Sequence, residues 1–311
     1  MRVIRCGRQA WNTIWMTNSQ PTGVKVWILG ARLRTLPAAI MPVMVGSACA
    51  GAFEGAGSKK WTFALLALVV SLALQVGVNY ANDYSDGVRG TDENRVGPLR
   101  LVGSGLVKPS VVKRAAFLAF GVAALCGLII ALSTSLWLVV IGAACIGAGW
   151  LYTGGPKPYG YMGLGELFVF VFFGLVATCG TMFAITQHIT LLSVYAATAV
   201  GCLAVALLVI NNLRDIPGDT QVGKVTLAVR LGDKKTRLVY GGLFLACGAA
   251  IVMCALSRRG AIVGLLGLVV AVPAIRTVRS GASGRDLIAV LATTGKTQMA
   301  TGLLLSLGLL L

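Results

Sequence analysis

The sequence predicts an all-α membrane protein, and three observations lead to that fold class. Hydrophobic residues make up 57% of the 311 residues and charged residues only 12%, with a mean hydropathy of +0.83, which is too apolar for a soluble domain. The apolar runs are continuous, and a helix needs about 20 such residues to cross a bilayer. The polar segments between the runs leave no room for a large extramembrane domain.

Nine runs are predicted to be transmembrane helices. They fall at residues 36–53, 61–81, 112–132, 136–152, 164–186, 190–210, 238–256, 260–275 and 287–311. Residues 1–30 ahead of them are basic and lack the apolar core and cleavage site of a secretory signal. We interpret them as a basic tail with an interfacial helix, an organellar transit segment being the alternative, followed by a single transmembrane domain at 31–311.

The distribution of basic residues sets the predicted orientation. With the N-terminus inside, the outside loops hold only Lys59, Lys60, Arg258 and Arg259, and nearly all other basic residues fall inside. The positive-inside rule therefore assigns the N-terminus and the ends of the second and sixth helices to the cytoplasm. Lys296, within the ninth run, is predicted to lie near a kink or an interfacial turn, because a buried unpaired lysine is unfavourable.

Six of the ten acidic residues lie directly after the second and sixth predicted helices. They are Asp83, Asp86, Asp92 and Glu93 in the first cluster, and Asp215 and Asp219 in the second. The N-x-x-x-D spacing of Asn79 and Asp83 recurs from Asn211 onward, which indicates two related halves facing one site. The helix dipole disfavours carboxylates at a helix C-terminus, so these clusters require a cation nearby.

The spacing within each cluster suits a divalent cation bound together with phosphate. Asp83 and Asp86 are three residues apart. Asp215 and Asp219 are four apart, so each pair shares one face if the helical turn continues. Hard oxygen ligands of this kind bind Mg²⁺, which takes one or two protein carboxylates and leaves its other positions to water and phosphate. Two pairs could hold two ions.

Basic and amide side chains beside these acids are candidates for binding phosphate and the rest of the substrate. They are Arg89, Arg95, Arg100, Lys224 and Arg230, together with Asn79, Asn82 and Asn211. The alternative is that both clusters are solvated loops, with Asp215 or Asp219 capping a turn around Pro217 and Gly218. The repeated spacing and the scarcity of acids elsewhere favour a binding site.

A third predicted cytoplasmic loop, residues 150–166, is rich in Gly, Pro and Tyr. Alone it is typical of a structured turn, but beside the acidic clusters Lys157 could reach a phosphate and its tyrosines could wall an aromatic pocket. Glu166, close to the start of a helix, is expected to stabilise that helix N-terminus. The eight cysteines form no C-x-x-C pair and the only histidine is His188, so no disulfide framework, metal knuckle or histidine base is expected.

Four strings of sequence, read together, resemble a known family. They are GARLRTLPA at 30–38, NDYSDGVRGTDENRVGPLRLVGSG at 82–105, the loop at 152–166, and NNLRDIPGDTQVGKVTLAVRLG at 211–232. From about Trp27 onward the chain is similar to the intramembrane aromatic prenyltransferases of the ubiquinone and menaquinone type. The resemblance implies a ring of nine helices around a central cavity, with a cytoplasmic cap and a lateral opening for a lipid tail.

The family's first motif, N-D-x-x-D-x-x-x-D, is matched by Asn82, Asp83 and Asp86. Gly90 stands where the motif has its last Asp, and Asp92, two residues later, is a further candidate metal ligand. The resemblance implies that the matching aspartates bind Mg²⁺ and the diphosphate of a polyprenyl donor.

The second motif, D-x-x-x-D, is matched by Asp215 and Asp219, for which the resemblance implies the same role. Tyr152 and Lys157 match a family loop that closes over the diphosphate. The resemblance implies that these aspartates, Tyr152 and Lys157 are the catalytic residues. It implies a mechanism without a covalent protein nucleophile.

The resemblance is strongest to family members that act on 1,4-dihydroxy-2-naphthoate. It implies transfer of a polyprenyl group from polyprenyl diphosphate to that acceptor in menaquinone synthesis. The implied location is the bacterial cell (inner) membrane, where the partners are lipids and not nucleic acid. The alternatives are another aromatic acceptor, 4-hydroxybenzoate or homogentisate, and a lipid-phosphate transporter. Transporter sites usually lie near the bilayer midplane, whereas both acidic clusters follow predicted helix ends, which favours the enzyme.

Overall fold

The computed structural model describes residues 23–55, 59–91 and 100–311, and all regular structure in these ranges is helical. The helices are α1 (Val24–Ala31), α2 (Pro37–Ala52), α3 (Thr62–Arg89), α4 (Pro109–Ser133), α5 (Trp137–Leu151), α6 (Gly165–Thr186), α7 (Leu191–Gln221), α8 (Leu227–Ser257), α9 (Arg259–Arg279) and α10 (Asp286–Leu310). The predicted all-α fold class is confirmed.

Six of the described helices are long and apolar enough to cross a membrane, namely α3, α4, α6, α7, α8 and α9. A seventh span is formed if Val24–Thr35 and α2, which meet at a bend of 54°, count together. The apolar α5 has only 15 residues, and α10 carries Lys296 and Gln298 in its middle. The described residues therefore form a multi-pass helical protein, with six or seven such spans where the sequence predicted nine.

Two helices extend well beyond the predicted spans, toward the acidic clusters. The second span was predicted at 61–81 and the sixth at 190–210, but α3 continues to Arg89 and α7 to Gln221. Both extensions bury acidic side chains, Asp83 and Asp86 in α3 and Asp215 and Asp219 in α7. The helical hydrogen bonding therefore continues where the lipid-facing pattern stops. The alternative of an aspartate-capped turn at Pro217 and Gly218 is wrong, because both residues lie inside α7.

The centre of the fold is α7, whose apolar part is largely buried by its neighbours. Small residues allow this close packing. A Cβ atom added at Gly174 of α6 would lie 2.7 Å from the Cα atom of Gly201 in α7, which leaves no space for a methyl group. Around Gly174, residues Phe170–Val176 form a π-helical segment within α6. Such segments are frequent at functional sites.

The segment between α1 and α2 contains one residue with a left-handed backbone. Arg32 has φ 54° and ψ 64°, a conformation that is uncommon for residues other than glycine. The bend is fixed to α3, because the side-chain amide of Asn79 donates hydrogen bonds to the Ala31 carbonyl at 2.9 Å and to Thr35 Oγ1 at 3.1 Å. Gln75 also donates to Thr35 Oγ1, at 3.0 Å.

Candidate functional site

The helices surround a cavity of about 1770 Å³. Most of its wall is apolar and comes from α3, α4, α5 and α6, with aromatic side chains such as Phe168, Phe172 and Phe173. Its charged lining is almost entirely basic. It consists of Arg32, Arg34, Arg100, Arg214, Lys224, Arg285 and Lys296, with Asp86 as the acidic member. A cavity with this charge attracts an anionic ligand, and its apolar remainder suits a long hydrocarbon chain.

The two aspartates of the first cluster have different surroundings. Asp83 is fully buried, and its two carboxylate oxygens accept hydrogen bonds from the backbone N–H groups of Leu101 and Val102, both at 2.9 Å. Asp86 lines the cavity, and its Oδ2 lies 3.9 Å from the guanidinium of Arg100. Asp83 therefore holds the segment that carries Arg100 against α3, while Asp86 presents its carboxylate to the cavity.

The second cluster lies in the last turns of α7. Arg214 donates from Nε to Asp215 Oδ1 at 2.6 Å and from Nη2 to Asp215 Oδ2 at 2.8 Å. The same Nη2 donates to Asn211 Oδ1 at 2.8 Å. Lys224 Nζ lies 3.7 Å from Asp219 Oδ1. Asp86, Asp215 and Asp219 thus share one arrangement, in which each carboxylate pairs with a cation that lines the cavity.

Tyr161, in the loop between α5 and α6, connects the two clusters. Its hydroxyl donates to Asp86 Oδ1 at 2.8 Å. Its ring centre lies 5.3 Å from the guanidinium carbon of Arg89 and 5.1 Å from Lys224 Nζ, within the range of cation–π contacts. Burial, followed by the nearby charge of Asp86, raises the pKa of the Tyr161 phenol to about 12. Tyr161 therefore stays protonated and remains a hydrogen-bond donor at neutral pH.

The loop at 152–158 is also fixed to the first cluster. Arg89 donates from Nη1 to the Thr153 carbonyl at 2.6 Å, and its Nη2 bonds the Gly155 carbonyl. Thr153 Oγ1 donates to Asn82 Oδ1 at 2.8 Å. Tyr152 and Asn82 both line the cavity. Arg89 thus tethers the loop that carries Tyr152 and does not itself line the cavity.

The remaining predicted residues divide between the cavity and its surroundings. Asn79 and Asn211 line the cavity with the groups above. Lys157 and Arg230 are exposed and are not part of its wall, and Arg230 packs against Gly163, where an added Cβ atom would lie 2.9 Å from its Nε. Arg95 and Asp92 lie outside the described residues.

The sequence analysis missed five basic residues of the cavity wall as site residues: Arg32, Arg34, Arg214, Arg285 and Lys296. It also missed Tyr161, which contacts Asp86 from outside the wall. Arg214 could have been found from the sequence, because it directly precedes Asp215, a predicted metal ligand. The two arginines near the N-terminus were counted as topological charges. The prediction for Lys296 is wrong: it lies in the middle of the unbroken helix α10 and lines the cavity. Its side chain is exposed at the cavity wall, so the unfavourable burial on which that prediction depended does not arise.

The described residues form no group of three or more acidic, His or Cys side chains that would hold a metal ion without a further ligand. The donor set suits a metal that shares its coordination with a phosphorylated ligand. Mg²⁺ needs only one or two protein carboxylates when phosphate and water fill its other positions. Asp86 at the cavity wall, with Asp215 and Asp219 beside cavity-lining cations, meets that requirement.

Glu166 lies in the first turn of α6, as predicted, and accepts a hydrogen bond from Asn212 at 2.9 Å.

Comparison with known proteins decides the family. The model of the UbiA prenyltransferase family matches residues 39–295. The chain belongs to the UbiA prenyltransferase family. It is 50% identical to the 1,4-dihydroxy-2-naphthoate octaprenyltransferase of Mycobacterium tuberculosis over 89% of this chain and 94% of that protein. It is 34% identical to the protein of the same name from Escherichia coli, over 95% of this chain and 98% of that protein.

Solved structures of UbiA homologues share the fold at much lower identity. A homologue from Aeropyrum pernix matches with a TM-score of 0.68 and 14% identity, covering 89% of this chain and 97% of the other. A homologue from Archaeoglobus fulgidus, bound to GPP and Mg²⁺, matches with a TM-score of 0.59 and 13% identity, covering 90% and 99%. These matches confirm the UbiA fold, as the resemblance of the sequence strings had implied.

Proposed function

We propose that the protein transfers a polyprenyl group from polyprenyl diphosphate to 1,4-dihydroxy-2-naphthoate, giving demethylmenaquinol with release of diphosphate and carbon dioxide. The observation that carries the proposal is one cavity that combines a cationic end around Asp86 with a long apolar remainder. Such a cavity suits a diphosphate joined to a lipid tail. The 50% identity to a naphthoate octaprenyltransferase supports this acceptor over 4-hydroxybenzoate or homogentisate, and supports a place in menaquinone synthesis.

The diphosphate would bind where the three acid–cation pairs meet the cavity. Arg100, Arg214 and Lys224 can turn from their carboxylates to phosphate oxygens, and Asp86, Asp215 and Asp219 would then hold Mg²⁺ jointly with the diphosphate. A bound Mg²⁺ neutralises charge that develops on the departing diphosphate. Support for a divalent metal comes from the Archaeoglobus fulgidus homologue solved with GPP and Mg²⁺. Two ions remain part of the proposal, as does a contribution of Asp92 and Arg95.

Asp83 has a positioning role in this proposal. Both of its oxygens accept backbone N–H groups, and it is not part of the cavity wall. It fixes the segment that carries Arg100, which faces the diphosphate. Arg89 acts in the same way on the loop of Tyr152. Lys157 and Arg230, exposed outside the cavity, would contact the diphosphate only if their loops close over it.

The chemistry then follows from charge and from shielding. The C1–O bond of the donor breaks and its electron pair leaves with the diphosphate, whose charge Arg100, Arg214 and Lys224 offset. The naphthoate carbon that bears the carboxylate forms the new bond to C1 with a ring electron pair. The bond to the carboxylate breaks, its electron pair restores the aromatic ring, and carbon dioxide leaves. No proton is removed from that carbon, so no general base is required for the ring to become aromatic again.

The proposal includes a membrane orientation and a domain organisation. The chain would be a multi-pass protein of the bacterial cell membrane, with the diphosphate end of the cavity and its covering loops toward the cytoplasm. The positive-inside distribution of Lys and Arg supports this orientation. Residues 31–311 would form one transmembrane domain after a basic tail, with the lipid surrounding it as its partner.

Purified protein with Mg²⁺, a polyprenyl diphosphate and naphthoate labelled in its carboxyl group tests the reaction. Labelled carbon dioxide should appear in step with the prenylated product. A prenylated product that keeps the label, or preferential turnover of 4-hydroxybenzoate, would show the acceptor to be wrong. Transport of lipid phosphate into vesicles without any prenyl transfer would favour the transporter.

A further inference from the structure

The side-chain amide of Asn212 is held in one orientation by a buried carboxylate. Its Nδ2 donates to Glu166 Oε1 at 2.9 Å, and the two residues are only 5% and 7% exposed. An ionised carboxylate accepts hydrogen bonds and donates none, so the amide nitrogen must face Glu166 and the amide oxygen must face away from it. Asn212 is part of the cavity wall, whereas Glu166 lies outside it. The pair therefore directs Oδ1 of Asn212 toward the cavity.

The amide oxygen of Asn212 differs from those of the other cavity-lining asparagines. In three of the four, the oxygen already accepts a hydrogen bond from another side chain, at 2.8 to 3.4 Å: Asn79 from Gln75, Asn82 from Thr153 and Asn211 from Arg214. Within the described parts of the chain, no residue donates to Asn212 Oδ1, and this atom is not sealed in the protein interior. An amide oxygen that is open to a cavity and has no protein partner is suited to a ligand that donates a hydrogen bond.

Three aromatic rings form a continuous part of the cavity wall, which we call the aromatic wall: Tyr152, Tyr159 and Phe168. The ring centres of Tyr152 and Tyr159 are 5.4 Å apart in an edge-to-face arrangement, and Tyr159 stacks on Phe168 at 4.0 Å. The hydroxyl of Tyr159 donates to the Ala148 carbonyl at 2.8 Å, so its proton is already used within the protein. A flat aromatic ligand can pack against such rings.

Asn212 lies next to the aromatic wall and close to the proposed diphosphate site. A Cβ atom added at Gly165 would lie 3.2 Å from the Tyr152 ring and 3.4 Å from the side chain of Leu208, so the start of α6 brings these two residues together. Leu208 precedes Asn212 by about one turn of α7. Asn212 in turn precedes Asp215 by three residues, or about 4.5 Å along the helix. The open amide oxygen is therefore about one turn from the carboxylates, at the level where an acceptor ring would meet C1 of the donor.

We propose that Asn212 accepts a hydrogen bond from a ring hydroxyl of the aromatic acceptor, and that Glu166 is the positioning residue that orients it. This inference rests on the proposed function, in which the acceptor is a dihydroxynaphthoate. The aromatic wall holds the flat ring, and the amide oxygen selects a ring that carries a hydroxyl. A site built to pair with a substrate hydroxyl rejects an analogue without it, because the polar group of the site is then left without a partner.

The test measures the binding of two acceptor analogues to the full-length protein. They are 1-hydroxy-2-naphthoate and 4-hydroxy-2-naphthoate, each of which keeps one of the two hydroxyls, and their inhibition constants are measured against 1,4-dihydroxy-2-naphthoate. Asn212→Leu should raise the inhibition constant of one analogue about 3- to 10-fold, as expected for the loss of one hydrogen bond. The other analogue, which lacks the recognised hydroxyl, should stay within about twofold of its wild-type value. KM for the polyprenyl diphosphate should not change.

Variants of Glu166 test the positioning role. Glu166→Met releases the Asn212 amide and should weaken binding of the same analogue, whereas Glu166→Gln keeps an oxygen that can accept and should restore most of the affinity. The double variant Glu166→Met with Asn212→Leu removes both polar partners, so no buried carboxylate is left unpaired and folding is preserved. Its loss of affinity should equal that of Asn212→Leu alone, because Glu166 acts only through Asn212.

Tyr240→Phe is the matched control, because it also removes a buried hydrogen bond, to Thr294 at 2.7 Å, but away from the cavity wall. It should leave both inhibition constants within about twofold. In the double variant, unchanged inhibition constants, or an equal rise for both analogues, would overturn the hydroxyl contact. Wild-type affinity in Glu166→Met, beside weakened binding in Asn212→Leu, would overturn the positioning role. No turnover of naphthoate by the wild type would instead contradict the proposed function.

Discussion

The hydroxyl of Tyr161 donates a hydrogen bond to the carboxylate of Asp86 at 2.8 Å, which joins the loop between α5 and α6 to the end of α3. The Tyr161 ring also contacts Lys224, and the Tyr161 carbonyl accepts from the backbone N–H of Val225 at 3.2 Å. One side chain therefore connects the acidic clusters of both halves of the chain. The relationship makes Tyr161 a positioning residue for the proposed diphosphate site.

Tyr161→Phe removes the hydroxyl and keeps the ring between the cations. We expect kcat to fall about 5-fold, because Asp86 loses one hydrogen bond of about 1 kcal/mol while the loop stays in place. The second readout is the dependence of kcat on pH. Because the pKa of Tyr161 is raised, the wild-type profile should show no titration of this phenol up to about pH 10. Tyr195→Phe, a substitution in α7 away from the cavity, is the control and should leave both readouts unchanged. Equal activity of Tyr161→Phe and wild type would remove the positioning role.

Asp83→Asn and Asp86→Asn should fail in different ways. Asp83 accepts two backbone N–H groups, and an asparagine can accept only through its carbonyl oxygen, so one buried donor is left without a partner. We expect a loss of about 1 to 3 kcal/mol of stability for Asp83→Asn, seen as a lower Tm in detergent. Asp86→Asn should retain the wild-type Tm and lower turnover by orders of magnitude, with a higher Mg²⁺ requirement. Wild-type Tm in Asp83→Asn would contradict the positioning role of that residue.

Metal removal tests the three acid–cation pairs. Excess EDTA should abolish prenyl transfer and added Mg²⁺ should restore it, because the carboxylates and the diphosphate share the ion in the proposal. Binding of the diphosphate should also weaken without the metal, which a direct binding measurement can follow apart from activity. Full activity in the presence of EDTA would contradict a metal-dependent mechanism.

The predicted orientation can be tested by labelling single cysteines from outside intact cells. In a background without the native cysteines, a cysteine in place of Lys59 should react with an impermeant thiol reagent. A cysteine in place of Gln221, at the end of α7, should react only after the cells are opened. The reverse pattern would invert the orientation and move the diphosphate site to the opposite face.

The acidic clusters could be predicted from the sequence because acids are so rare in this chain. Their grouping after two apolar runs predicted that both halves meet at one site, and the cavity brings Asp86, Arg214 and Lys224 together. The different surroundings of Asp83 and Asp86 could not be predicted, because the backbone donors at Leu101 and Val102 are distant in sequence. Tyr161 was one of several loop tyrosines until the fold brought it to Asp86.

The helix ends and Lys296 show a second limit of sequence patterns. Hydropathy detects contact with lipid, so it ended the second and sixth spans where polar side chains begin. The structure continues α3 and α7, because those side chains face protein and a cavity. Hydropathy likewise predicts that Lys296 is unfavourable within a membrane span, although it lies on the wall of the cavity. Hydropathy alone cannot distinguish a charge in lipid from a charge in a cavity.

The π-helical segment at Phe170–Val176 determines which residues α6 presents to the cavity along its length. A π turn holds an extra residue compared with an α turn, and one residue corresponds to a rotation of about 100° around a helix. Phe168 and Val169 line the cavity before this segment, and Thr181 and Ala184 line it afterwards. Deleting one residue there would restore a regular helix and swing one of these two pairs toward lipid. The one extra residue of the π-helical segment thus keeps both ends of α6 facing the same cavity.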